Sequence, residues 1–223
     1  MLQLAVLASG NGSNLQAMLD KVASGALEAE IRVVIANKKG AYALERARLA
    51  GVPAVFLDPA DHADRESFDA AMLDVIHKAG ADCVALAGYM RLLTPVFLGA
   101  FPGRVLNIHP ALLPSFPGLR GASDALDYGV RLAGCTVHFV DEQMDHGAVI
   151  VQAAVPVFPG EPLDDLKRRI HALEHRIYPQ ALQWLSKVRI RLEGRQVLIQ
   201  PTEGETVTPD GPWLTSPALE PGF

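Results

Sequence analysis

Asn107 and His109 stand two residues apart in Val105-Leu106-Asn107-Ile108-His109-Pro110, a short apolar run that ends at a turn. In an extended strand residues i and i+2 share a face, so an amide and an imidazole project side by side at the carboxyl edge. That edge is where open α/β sheets bind ligands. An isolated Asn-x-His before a proline is more often a surface feature, and a later acid is what lifts this pair. Asp145 lies in Asp141-Glu142-Gln143-Met144-Asp145-His146-Gly147, a turn between two strands whose acids are most often solvated turn formers. A carboxylate that reached His109 would favour the imidazolium, a cationic donor near neutral pH. Asn107 and His109 would then act as paired donors to a nascent oxyanion, a device in which losing one donor costs about 100- to 1000-fold in rate.

A second constellation is Ser9-Gly10-Asn11-Gly12-Ser13-Asn14, which follows an apolar run and precedes a helical pattern. Glycines permit a tight turn there, and free backbone N–H groups at a helix start attract an anion. The third glycine of the dinucleotide fingerprint is missing, since Leu15 or Gln16 takes its place, and the second strand closes on Ala36-Asn37-Lys38 without an acid. A nicotinamide cofactor is therefore disfavoured and a phosphate monoester fits. The bland alternative is an N-cap turn with Ser13 or Asn14 as cap.

His171-Ala172-Leu173-Glu174-His175 spells H-x-x-E-H, a zinc peptidase pattern. Pro179 follows too closely and no third ligand stands in a matching helix, so no metal is expected. Glu174 either binds substrate hydroxyls or belongs to a solvated face with Arg168 and His175.

The elements that must position these groups alternate. Apolar runs at 2–8, 31–36, 54–57, 83–87 and 105–108 are separated by helical patterns at 14–23, 41–50, 64–79 and 95–101, the signature of βαβ units on a parallel sheet. Phe68, Met72, Val75, Ile76 and Ala79 form one stripe at helical spacing and read as core. Residues 109–121 hold three prolines and two glycines, a working loop in place of regular structure. A helix over 122–128, strands at 136–140 and 148–158 (with Pro156 suggesting an edge), a helix over 163–185 that Pro179 should kink or break, and a hairpin around 189–199 complete the pattern. Residues 1–200 are expected to form a single domain, and 201–223, rich in Pro, Gly, Thr and Glu, a loosely packed tail.

With 223 residues, 49% hydrophobic and 20% charged, the chain has the composition of a globular protein with a substantial core. Its net charge of -5 argues against a nucleic-acid partner. Cys83 and Cys135 each sit in an apolar run and read as buried, reduced thiols, which implies a cytoplasmic home. The apolar start lacks a basic leader, and no apolar stretch approaches the roughly 18 to 20 residues of a membrane span.

Ser9 to Gln16, Ala87-Gly88-Tyr89-Met90-Arg91-Leu92-Leu93, Asn107 to Pro114, Phe116-Pro117-Gly118, Val137-His138-Phe139-Val140, Asp145-x-Gly147 and Glu174-His175-Arg176-Ile177-Tyr178-Pro179 appear in this order. Together they resemble the folate-dependent phosphoribosylglycinamide formyltransferases. The resemblance implies a Rossmann-like α/β formyltransferase fold with a mostly parallel central sheet flanked by helices. It also implies transfer of a formyl group from 10-formyltetrahydrofolate, a co-substrate, to the amine of glycinamide ribonucleotide. On that analogy Asn107, His109 and Asp145 are the catalytic set. Gly12, Ser13 and Asn14 would hold the phosphate, with His171 and Glu174 also on the ribonucleotide. Arg65, Met90, Arg91, Leu92, Leu93, Asn107, Val140, Asp141 and Asp145 would line the folate site. A monomer or homodimer with no membrane partner is expected. Ala111 and Ser115 depart from the Ser and basic residue common at those places in the family.

Two sister activities share the catalytic trio. Formylation of initiator methionyl-tRNA would call for a further basic RNA-binding domain, and the residues after 190 are few and not basic. Hydrolysis of formyltetrahydrofolate would call for a small regulatory domain before the first strand, which here starts at Leu2. A non-catalytic phosphate-binding module would explain the glycine turn but leave the trio idle.

Overall fold

Strand β1 (Leu2–Ala8) is buried at all but one position. A strand apolar on both faces must be covered on both, which parallel sheets with crossover helices achieve. The computed structural model describes residues 1–200 and 214–223. It divides the chain into two compact units, Met1–Asn107 with Val140–Glu142, and Ile108–Phe139 with Gln143–Phe223.

In the first unit β1 pairs in parallel with β2 (Ala29–Ala36) and β4 (Cys83–Leu86), β2 with β3 (Ala54–Phe56), and β4 with β5 (Val105–His109). The last two residues of β5 belong to the second unit. The helices are α1 (Ser13–Ala23), α2 (Tyr42–Leu49), α3 (Arg65–Ala79) and α4 (Pro95–Ala100). Helix α3 starts at a capping box in which Asp64 accepts from the Ser67 N–H at 2.7 Å, and it stops at Gly80 in the left-handed region. Its stripe of Phe68, Met72 and Ile76 is buried in the core that Leu7, Ile35 and Phe97 share, with Val75 and Ala79 partly buried against it.

The second unit holds α5 (Gly121–Tyr128), β6 (Leu132–Phe139), β7 (Val149–Pro156), α6 (Leu163–Ser186), the hairpin β8 (Ile190–Glu193) and β9 (Gln196–Ile199), and β10 (Leu214–Ser216). β7 runs antiparallel to both β6 and β10. The backbones approach closely at Gly134 on β6, where a Cβ would fall 2.0 Å from the Ala153 carbonyl oxygen.

The fold class is as expected: α/β, parallel through β5-β4-β1-β2-β3, with a separate antiparallel hairpin. Three local expectations need correction. β7 is flanked on both sides, not at an edge: β6 pairs along its length as far as Pro156, and among the described residues β10 pairs with Gln152 to Ala154. Helix α6 runs unbroken through Pro179. An interior proline costs about 3 kcal/mol, but Leu173, Ile177, Tyr178, Ala181, Leu182 and Trp184 are buried on both sides of it and hold the helical path. Of the expected loose tail, residues 201–213 lie outside the described residues, whereas 214–223 are tied down. The buried Gln180 and Trp184 need polar partners, and they find them in the Ala218 carbonyl at 3.0 Å and the Glu220 carboxylate at 2.9 Å. Arg189 pairs with the same carboxylate at 2.7 Å.

Cys83 and Cys135 are free and buried, as read. Burial pushes the Cys83 thiol up to about 12 and raises Cys135 well above the ordinary thiol range, so neither is a nucleophile at neutral pH. Among the described residues no helix is long and apolar enough to cross a membrane.

Candidate active site

His109 ends β5 and is 3% exposed. Its Nδ1 stands 3.4 Å from Asp145 Oδ2, and its Nε2 lies 2.8 Å from the Phe116 carbonyl oxygen. Both ring nitrogens thus face oxygen atoms able to accept a hydrogen bond. Asn107 precedes it by two residues on the same strand and is half-buried. The expected meeting of His109 with the Asp145 carboxylate is present in the structure.

Asp145 is held as well as placed. Its Oδ2 accepts from the Gly118 N–H at 2.7 Å, and its Oδ1 is 3.8 Å from Nε2 of His138, a buried histidine of β6. Asp145 and Phe116 both sit in the left-handed region, at φ 51° and 54°. For a residue with a Cβ this costs roughly 1–2 kcal/mol, and such strain gathers where a surrounding structure fixes function. Phe116 is anchored edge-on against Tyr128 of α5, ring centres 5.7 Å apart. The loop before it is pinned by Thr136 of β6, whose hydroxyl donates to the Ala111 carbonyl at 2.7 Å and accepts from the Leu113 N–H at 3.1 Å. Gln152 of β7 reaches the Leu113 carbonyl at 2.9 Å.

Sequence reasoning assigned no role to His138, Thr136 or Gln152. Thr136 and His138 alternate along β6, a pattern that a half-exposed strand gives equally, and Gln152 is a lone polar residue in the apolar run of β7.

Gly121 packs against the same ring nitrogen that faces Phe116: a Cβ there would lie 2.9 Å from His109 Nε2 and 3.1 Å from the Ala111 Cβ. Gly121→Ala is therefore expected to push the ring off its Phe116 contact, lowering kcat about ten- to a hundredfold, since a displacement near 1 Å costs up to about 10²-fold. Steady-state kinetics beside a melting curve check this; an unchanged kcat shows that the ring position is not critical.

In the first unit the Ser9–Asn14 turn leads into α1 with Gly12, φ 75°, at the N-cap and no side-chain cap bond. The cap is thus neither Ser13 nor Asn14 but Gly12, which has no side chain to accept from the first-turn N–H groups. Ser9, buried, donates to Asn37 Oδ1 at 2.6 Å and accepts from the Met90 N–H at 2.9 Å, tying this turn to the segment 88–94. That segment carries the expected folate residues. Met90 and Leu92 are exposed, Leu93 is buried, and the Arg91 guanidinium lies 5.2 Å from the centre of the Phe68 ring. Arg65 donates to the Leu92 carbonyl at 3.0 Å. Val140 donates its N–H to the Val105 carbonyl at 2.9 Å, and Asp141 beside it is half-buried. Asp69 on α3, which the sequence reading did not single out, is buried and accepts from the Thr94 N–H at 2.7 Å, fixing the far end of the segment.

On α6, in the second unit, Glu174 is 3% exposed, which overturns the solvated-face alternative, whereas His171 is exposed. The rings of His171 and His175 stack with centres 6.3 Å apart, and with Asp164, Lys167, Arg168 and Ala172 they line a cavity of about 540 Å³. Among the described residues no group of three or more His, Cys, Asp or Glu side chains is placed to hold a metal ion.

Residues 2–182 match the formyl transferase family model. The chain is 40% identical over 210 residues to phosphoribosylglycinamide formyltransferase of Escherichia coli strain K12, covering 94% of this chain and 98% of that one. It is 46% identical over 185 residues to the trifunctional purine biosynthetic protein adenosine-3 of Drosophila melanogaster, covering 82% of this chain but 14% of the larger protein. The chain likewise spans 14% of the corresponding trifunctional protein of Chironomus tentans. Among solved structures, glycinamide ribonucleotide transformylase 1 from Symbiobacterium toebii superposes with a TM-score of 0.89 at 51% identity, over 90% of this chain and 95% of that one.

Proposed function

The chain belongs to the formyl transferase family, and from that premise we propose that it transfers the formyl group of 10-formyltetrahydrofolate to the amine of 5-phosphoribosylglycinamide in purine synthesis. The names and coverage of the E. coli and S. toebii relatives support the substrates. The observation that carries the mechanism is the buried His109 to Asp145 contact at 3.4 Å.

The substrate amine attacks the formyl carbon. A C–N bond forms and the carbonyl π pair moves onto oxygen, giving a tetrahedral oxyanion. That pair then returns, the bond to the folate N10 breaks, and N10 takes a proton while the former amine loses one. No covalent enzyme intermediate is needed. The protein's tasks are close approach, donors to the oxyanion and a proton route. Asn107 and the Nε2–H of His109 are the donors, and a formyl oxygen that takes the His109 proton displaces the Phe116 carbonyl from it. Asp145 orients the ring through its contact with Nδ1. Gly12, Ser13 and Asn14 hold the phosphate, while Glu174 and His171 contact the ribose end. Arg65, Met90 to Leu93, Asn107, Val140, Asp141 and Asp145 line the folate site.

Residues 1–200 working as one formyltransferase domain, a monomeric or homodimeric state and a cytoplasmic home belong to the same proposal. Two buried, reduced thiols support the compartment. The deciding experiment follows folate absorbance on mixing the protein with 10-formyltetrahydrofolate and glycinamide ribonucleotide. Deformylation that depends on the ribonucleotide is the expected result; deformylation at the same rate without it would instead mark a hydrolase.

A further inference from the structure

We propose that Arg46, on α2, is a positioning residue for the ribonucleotide phosphate, acting by holding the glycine turn after β1 in its anion-facing form. The inference rests on the assignment of that turn to the phosphate. Arg46 Nε donates to the Asn11 carbonyl at 2.9 Å, Nη2 to Asn11 Oδ1 at 2.9 Å and Nη1 to Gln16 Oε1 at 3.0 Å. One guanidinium fork therefore spans the turn, from the residue before the N-cap Gly12 to the first turn of α1. The fork itself is steadied by the Tyr42 ring, 4.9 Å from its centre.

Peptide planarity gives these bonds a direction. In a trans peptide the C=O of one residue and the N–H of the next point oppositely. The Gly10 carbonyl accepts from the Ala43 N–H at 3.1 Å, and the Asn11 carbonyl accepts from Arg46. Both carbonyls are thus drawn toward α2, and the N–H groups of Asn11 and Gly12 are turned the other way. Gly12 completes the fit: a Cβ there would fall 2.7 Å from the Ala43 Cβ, so α2 presses directly on the turn. Arg46 in this way points the donors away from itself while leaving a permanent positive charge beside them. No motif in the sequence marks it, because it lies 35 residues from its principal partner.

Steady-state kinetics on Arg46→Ala, Arg46→Gln and Arg46→Lys test this. The expected result for Arg46→Ala is a rise of about tenfold or more in KM for the ribonucleotide, the scale of a lost charge-assisted bond. kcat and the folate KM should change less than threefold. Arg46→Lys should recover part of the loss through its charge, and inhibition by inorganic phosphate should weaken in step with the ribonucleotide KM, because phosphate carries only the group that the turn receives. If Arg46→Ala does not fold, Arg46→Gln carries the same comparison. An unchanged ribonucleotide KM in a folded variant overturns the proposal, as does an equal loss across kcat and both KM values. Ser13→Asp separates the two assignments. If it raises the ribonucleotide KM while Arg46→Ala does not, Arg46 alone is wrong; if neither raises it, the phosphate assignment of the turn falls as well.

Discussion

The His109→Ala protein is expected to bind glycinamide ribonucleotide nearly as tightly as the parent while its kcat falls by about 10³-fold or more. Two losses combine. Removing one donor to an oxyanion costs about 10²- to 10³-fold, and removing a general acid costs a further factor within about 10²- to 10⁴-fold. Both interactions form mainly at the transition state, so the loss should fall on kcat and not on substrate affinity. The substitution also strips the Phe116 carbonyl and Asp145 of a partner at 2.8 and 3.4 Å in a buried place, so a stability loss of about 1–3 kcal/mol should accompany it. Calorimetric titration with the ribonucleotide, rapid-quench turnover and a denaturant melt separate the effects. A kcat within tenfold of the parent would reject His109 as the acid and electrophile; a parallel collapse of binding and melting temperature would point to misfolding.

Much of the arrangement was legible because its signals are local. The apolar runs that became β1 and β5 are short and bounded by glycine or proline, and hydrophobic periodicity in α3 placed Phe68, Met72 and Ile76 on one face. The i, i+2 spacing of Asn107 and His109 needs only the knowledge that 105–109 is a strand. The Asp145 contact could be posed but not placed from composition, since it depends on a turn that carries a non-glycine residue at φ 51°.

What remained illegible is long-range satisfaction of buried polar groups. Asp69 sits among apolar neighbours in α3 and would be read as an error in a core stripe until Thr94 supplies its N–H from 25 residues away. Gln180 and Trp184 likewise gave no hint that Ala218 and Glu220 complete them, so a segment of loop-like composition was read as loose. Pro179 misled for the opposite reason: its local cost is real, and burial on both sides of it outweighs that cost.

Asp145→Asn should lower kcat about 10²- to 10⁴-fold with little change in fold, and it isolates charge from shape better than alanine does. Asn tolerates the left-handed backbone that φ 51° imposes, and its amide oxygen still accepts from the Gly118 N–H, now at 2.7 Å from the carboxylate. What it removes is the negative charge facing His109 Nδ1, which holds the ring in a single orientation and offsets positive charge that develops on it during proton transfer. Asp145→Gly makes the converse cut. It releases the roughly 1–2 kcal/mol of left-handed strain but abandons the Gly118 bond, so its stability should lie near the parent's while its rate falls at least as far as that of the Asn variant. If charge on residue 145 drives the chemistry, both variants lose rate whatever their stabilities. If instead Asp145 only fixes the turn, Asp145→Asn keeps its rate, because the Gly118 contact that fixes it survives.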